Sequence, residues 1–277
     1  MIAQKDVDLQ LPSGRLRARR FGPEDAPLVL GVPGLTSNLV SLTAIAEVQP
    51  MLALDLRGRG FSETTGPGTY GWDAHAQDLL AVADRLGAEH FAIVGWSMGA
   101  FVAMATAAQA PERVERLVLI DALGEVDEVV VNLIRMSVNR LGAVYPSLEA
   151  YLELVRSTGL VTPWNALWEH VFEYELQPVP GGVSARTDRA AVNEDFEYSQ
   201  THDPTRYWPA LTMPVLLLRA ARPLLESAGG VLVPPAVRDR FRAEVPQATV
   251  IEIDANHYGI GAHPDTVRAV RAFFAPS

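Results

Sequence analysis

Apolar runs separated by helical stripes constrain this chain more than any other feature of its sequence. LVLGV (28–32), MLALDL (51–56), FAIVG (91–95), RLVLID (116–121), MPVLLLRA (213–220) and ATVIEID (248–254) are mostly or wholly apolar. A strand with one wet face alternates apolar and polar residues, so unbroken runs point to strands covered on both faces. Between them, apolar residues at 76, 79, 80, 83 and 86 form a helical stripe closed by Gly87. AFVAMATAAQA (100–110) reads as a second helix, stopped at Pro111. Such alternation predicts the α/β class: a mostly parallel central sheet flanked by helices. DVDLQL (6–11) does alternate, and with RLRARRF (15–21) it predicts an antiparallel hairpin at the start.

The texture changes after Asp121. Residues 124–208 lose the strand pattern, read as helical, and carry many aromatics, among them Tyr145, Trp164, Trp168, Phe172 and Trp208. Strand signals return at 213, and a final helix, DTVRAVRAFF, follows Pro264. The expected organisation is therefore a core domain of 1–123 and 209–277, interrupted by a helical cap (lid) insertion at 124–208. Insertions at the carboxyl ends of parallel strands sit over the binding crevice of such sheets.

Composition excludes several classes. The chain has 277 residues, 48% of them hydrophobic, enough for a large core. It has no cysteine, so disulfides and cysteine-ligated metals are ruled out. The net charge is −10 and no broad basic face is apparent, which argues against nucleic acid as a partner. No apolar stretch is long enough for a signal peptide or a membrane span. The expectation is a cytoplasmic protein with no membrane partner, and a homodimer stays open.

The chemistry centres on IVGWSMGAF (93–101). Ser97 falls between a strand and a helix, flanked by Gly95 and Gly99, which is the context a G-x-S-x-G nucleophile elbow requires. The glycines let strand and helix approach closely while the turn lifts the hydroxyl clear of the sheet. A serine hydroxyl needs a base. Of six histidines, His257 lies in DANHYGIG, just after the last strand and on the same edge as Ser97. Two backbone N–H groups are needed for an oxyanion. Met98 supplies one, and Leu35, in VPGLTSN after strand 28–32, supplies the other.

GWSMG, the late His257, PGL after the third strand and DLRGRGFS (55–62) together resemble the α/β-hydrolase fold superfamily over essentially the whole chain. DLRGRGFS resembles the family's D-x-R-G-x-G-x-S loop and is read as structural support. Pro33 stands where most members carry histidine before the glycine, so no side-chain role is expected there. The resemblance also implies a carboxylate that orients the histidine. Most members carry it after the strand that follows the cap, where this chain has Pro223. Two candidates remain. Glu226 lies on the same Pro- and Gly-rich loop, and Asp121 ends the strand 24 residues past Ser97. Some members, including certain haloalkane dehalogenases and lactonases, place the acid at that strand end. Asp121 is favoured, because a strand end is rigid and the 221–235 loop is not.

The expected function is a serine hydrolase of the esterase or lactonase type, acting on a small apolar or aromatic ester or lactone through an acyl-enzyme. No metal or organic cofactor is required. C–C bond hydrolysis, thioester cleavage and perhydrolysis are alternatives on the same residues, and a ligand-binding protein that retains the fold is a more distant one.

Overall fold

A computed structural model describes residues 2–275. The chain opens with the expected hairpin, β1 (Gln4–Leu11) and β2 (Gly14–Phe21), in antiparallel register with Leu9 opposite Leu16. Arg17 and Arg19 on β2 pair with Asp8 and Asp6 on β1, so the basic cluster is neutralised at this sheet edge. Then come β3 (Val29–Val32), a short 3-10 turn at Leu39–Leu42, α1 (Thr43–Ala46) and β4 (Met51–Leu54). The helix α2 (Trp72–Arg85), β5 (Phe91–Trp96), α3 (Met98–Gln109) and β6 (Val114–Ile120) complete the first half.

The 124–208 segment holds α4 (Glu128–Asn139), α5 (Leu148–Ser157), α6 (Ala166–Glu175), β7 (Leu176–Val179), β8 (Gly182–Ala185) and α7 (Arg189–Thr201). A 3-10 helix at Pro204–Ala210 leads back to the sheet. Asp127, Ser147, Asn165 and Asp188 each cap a helix start here by accepting a backbone N–H. The sequence reads as helical throughout, but the segment is interrupted by a strand pair. LQPVPGGVSA folds into the β7–β8 hairpin, because Gly181 and Gly182 take positive φ and Pro178 bars helix continuation. The chain ends with β9 (Val215–Ala220), α8 (Pro235–Glu244), β10 (Ala248–Ile253) and α9 (Pro264–Phe274).

The eight-stranded sheet has the order β1-β2-β4-β3-β5-β6-β9-β10. Pairing is parallel from β4 onward and antiparallel at β1–β2 and β2–β4. The strands β3, β4, β5, β6 and β9 are buried along all or most of their length, as continuous apolar runs demand. From β3 the chain moves to β4 on one side and to β5 on the other, so the order reverses between β3 and β5. Ligands bind such sheets in the crevice outside the carboxyl ends at this reversal. Ser97 follows β5 there, and Leu35 follows β3. No helix among the described residues is long and apolar enough to cross a membrane.

Candidate active site

The geometry begins with backbone. Among the described residues, Ser97 and Asp121 are the non-glycine residues at positive φ, 56° and 49°. Such conformations cost on the order of 1–3 kcal/mol and persist only where the surroundings enforce them. Here the parallel ladder enforces them. The Ser97 N–H donates to the Ile120 carbonyl at 2.8 Å, and the Asp121 N–H donates to the Leu218 carbonyl at 2.8 Å. Each residue is thus pinned one step beyond the end of its strand, on neighbouring strands.

The flanking glycines are required by space. A Cβ on Gly95 would lie 2.2 Å from the Gly99 carbonyl oxygen, and one on Gly99 would lie 2.1 Å from the Val32 carbonyl oxygen. The loop after β3 packs directly against the nucleophile: a Cβ on Gly34 would sit 3.1 Å from the Ser97 Cβ. Met98 is the first residue of α3, where a backbone N–H has no partner within the helix. Leu35 stands beside Gly34, and both Leu35 and Met98 line cavities that reach Ser97.

His257 meets Asp121 from the far side of β9. Its Nδ1 lies 2.8 Å from Asp121 Oδ2, while Asp121 Oδ1 accepts the Ala220 N–H at 2.9 Å. Asp121 is 1% exposed at the side chain and His257 11%. Asn256 shapes the histidine loop: its Oδ1 accepts the N–H groups of Tyr258 and Gly259, and its Nδ2 donates to the Leu160 carbonyl at 3.1 Å. Glu226, the other candidate acid, is exposed on the 221–235 loop, away from this contact. The structure therefore brings His257 together with Asp121.

Ser97 and His257 open into a cavity of about 360 Å³ roofed by residues of the 124–208 segment. Trp96, Val155, Leu160, Trp168, Val171 and Phe172 give it an apolar wall. Trp168 packs edge-on against Trp96 and Tyr258, with ring centroids 5.7 and 5.2 Å apart. A second cavity, of about 420 Å³, meets Ser97 on the other side, past Met98, Phe101 and α7.

DLRGRGFS supports the site as its sequence suggests, through partners the sequence does not mark. In DLRGRGFS, Asp55 accepts the N–H groups of Leu39 and Phe61, and the Tyr174 hydroxyl of α6. Burial pushes its carboxyl up to about 6 against those donors. Arg59 donates from Nε to the Leu35 carbonyl at 3.1 Å and pairs with Asp195 of α7 at 2.6 Å, both charged side chains being shielded from water. His75 of α2 approaches the same carboxylate, at 3.0 Å. Burial opposes the Asp195 charge, but His75 and Arg59 hold the carboxyl well below the usual range. DLRGRGFS thus braces the loop that carries Leu35. These partners lie far apart in sequence, and no local pattern marks them.

Residues 27–177 match the α/β-hydrolase fold family, and the chain belongs to that family. An N-formylmaleamate deformylase of Pseudomonas putida is 30% identical over 249 residues, spanning 85% of this chain and 82% of the relative. A 2-(acetamidomethylene)succinate hydrolase of Mesorhizobium japonicum is 26% identical over 272 residues, spanning 96% and 95%. A crystal structure of E-2-(acetamidomethylene)succinate hydrolase superposes with a TM-score of 0.86 at 23% identity, covering 98% of this chain and 99% of that one, a likeness of fold. The curated relatives are hydrolases.

Proposed function

We propose that the chain is a serine hydrolase that opens a carboxylic ester or lactone of a small apolar or aromatic substrate through an acyl-enzyme. The observation that carries this reading is the 2.8 Å contact of His257 Nδ1 with buried Asp121, beside a strained Ser97 in the same cavity. With Nδ1–H donated to Asp121, the other ring nitrogen, Nε2, is left as the base. Ser97 Oγ attacks the substrate carbonyl as His257 takes its proton. The oxyanion is received by the N–H groups of Leu35 and Met98, at the end of a helix whose dipole favours negative charge. His257 then protonates the leaving group. Water, deprotonated by His257, attacks the acyl ester, and Ser97 is regenerated with release of the acid. The 124–208 segment acts as a cap, and its Trp168 and Phe172 favour apolar or aromatic groups.

A second reading is C–N bond hydrolysis at the same residues, which the names of the deformylase and the acetamidomethylene hydrolase support. A panel of p-nitrophenyl esters, lactones, aryl amides and vinylogous diketones distinguishes the readings. Ester or lactone turnover is expected to dominate and to fall at least about 10⁴-fold in Ser97→Ala. Turnover confined to amides or diketones would replace the ester reading, and turnover that survives Ser97→Ala would end both.

A further inference from the structure

Of the described residues lining the 360 Å³ cavity, Arg140 alone carries a fixed charge. A guanidinium in a mostly apolar pocket that also holds a nucleophile is, taken alone, a receptor for a substrate carboxylate. Its surroundings cancel that role. Arg140 Nη2 holds both oxygens of Glu175, at 2.9 and 3.0 Å. Its Nε donates to the Tyr151 hydroxyl at 2.9 Å, and its Nη1 donates to the Ser137 carbonyl at 2.6 Å. Tyr151 in turn donates to Glu175 at 2.9 Å. Each guanidinium nitrogen therefore donates to a protein acceptor, and the carboxylate that neutralises the charge is 1% exposed at its side chain. Glu175 stands outside the residues lining the cavity, behind Arg140.

We propose that Glu175 sets the charge preference of this site: by neutralising Arg140 from behind, it makes the cavity a receptor for an uncharged group and excludes carboxylates. The proposal rests on Ser97 being the nucleophile. A substrate carboxylate entering here would lose its water and meet a guanidinium whose charge is already neutralised and each of whose nitrogens already donates to the protein, with the Glu175 carboxylate close by. Burying an ion without compensation costs several kcal/mol. The pair also crosses the roof, joining the C-terminal end of α4 to the end of α6, so it orders the cap while it removes the charge.

Two matched pairs of p-nitrophenyl and aryl esters test it, one bearing a terminal carboxylate on the acyl chain and one on the alcohol, each beside its neutral isostere. In the pair whose varied group enters the cavity, the wild-type protein is expected to prefer the neutral member by about 100-fold in kcat/KM. Glu175→Gln leaves the guanidinium charge uncompensated and narrows that ratio at least about tenfold, through faster turnover of the carboxylate. The neutral double variant Arg140→Met with Glu175→Leu keeps the wild-type preference, which guards against failure of the single variant to fold. Absence of discrimination in both pairs, an unchanged ratio in folded Glu175→Gln, or carboxylate acceptance by the double variant would overturn the proposal. Fluorophosphonate labelling of Ser97 in the same samples reads the nucleophile separately.

Discussion

The carboxyl edge of the sheet and the segment that roofs it are specified by different physics. At the edge, backbone does the positioning. Ser97 and Asp121 are held at positive φ by ladder hydrogen bonds from neighbouring strands, and Gly95, Gly99 and Gly34 admit close backbone approach. In the roof, side chains do it. Capped helices carry aromatic contacts and the buried Arg140–Glu175 ion pair, and α6 and α7 dock through Tyr174 on Asp55 and Asp195 on Arg59. A ladder tolerates almost no displacement, whereas packed side chains accept substitution of similar shape. The reacting groups of the proposed mechanism thus sit on the rigid part, and the surfaces that would select a substrate sit on the replaceable part.

The sharpest way to break this contrast is at the edge. Asp121→Asn keeps the shape but not the tautomer control, so kcat on the best ester should fall about 10⁴-fold. Glu226→Gln, on the exposed loop, should change it by less than about twofold. The reverse ranking in steady-state kinetics would move the acid to the loop. Stability gives the next contrast. Gly99→Ala forces a Cβ into the Val32 carbonyl and should cost about 3 kcal/mol or more in urea unfolding. Gly142→Ala, in the roof at φ +78° with its nearest neighbour 3.8 Å away, should cost only about 1–2 kcal/mol. Equal costs would remove the distinction between the two regions.

The smallest effect probes where roof and edge meet. A carboxyl raised in the fold, as Asp55 is, stabilises fully below its unfolded value near 3.8 and loses that contribution as pH rises through about 6. Tyr174→Phe removes a donor to this carboxylate and pushes the folded value higher still. The variant should therefore trail the wild-type protein by about 1 kcal/mol at pH 7 and by less at pH 4. A deficit equal at both pH values would show that the hydroxyl does not act through the Asp55 charge.

The sheet was legible because buried strands leave continuous apolar runs, and Ser97 because its glycines sit between a strand and a helix. The nearness of His257 to Asp121 was half legible. Asp121 ends one strand signal and His257 follows another, but their contact depends on β9 lying between β6 and β10, which no local pattern encodes. The β7–β8 hairpin was hidden because QPVPGGVSA is short and half-exposed and lacks alternation. Nothing local marks Asp195 and Glu175, since their partners Arg59 and Arg140 lie 136 and 35 residues away. Burial of a charge is a property of the assembled fold.

The central claim is that Ser97 becomes covalently acylated, and trapping tests it most directly. The protein is incubated with an alkyl fluorophosphonate, digested, and mapped by mass spectrometry. One adduct is expected, on Ser97, absent from Ser97→Ala and strongly slowed in His257→Ala. An adduct on another residue, or labelling that persists in Ser97→Ala, would contradict it.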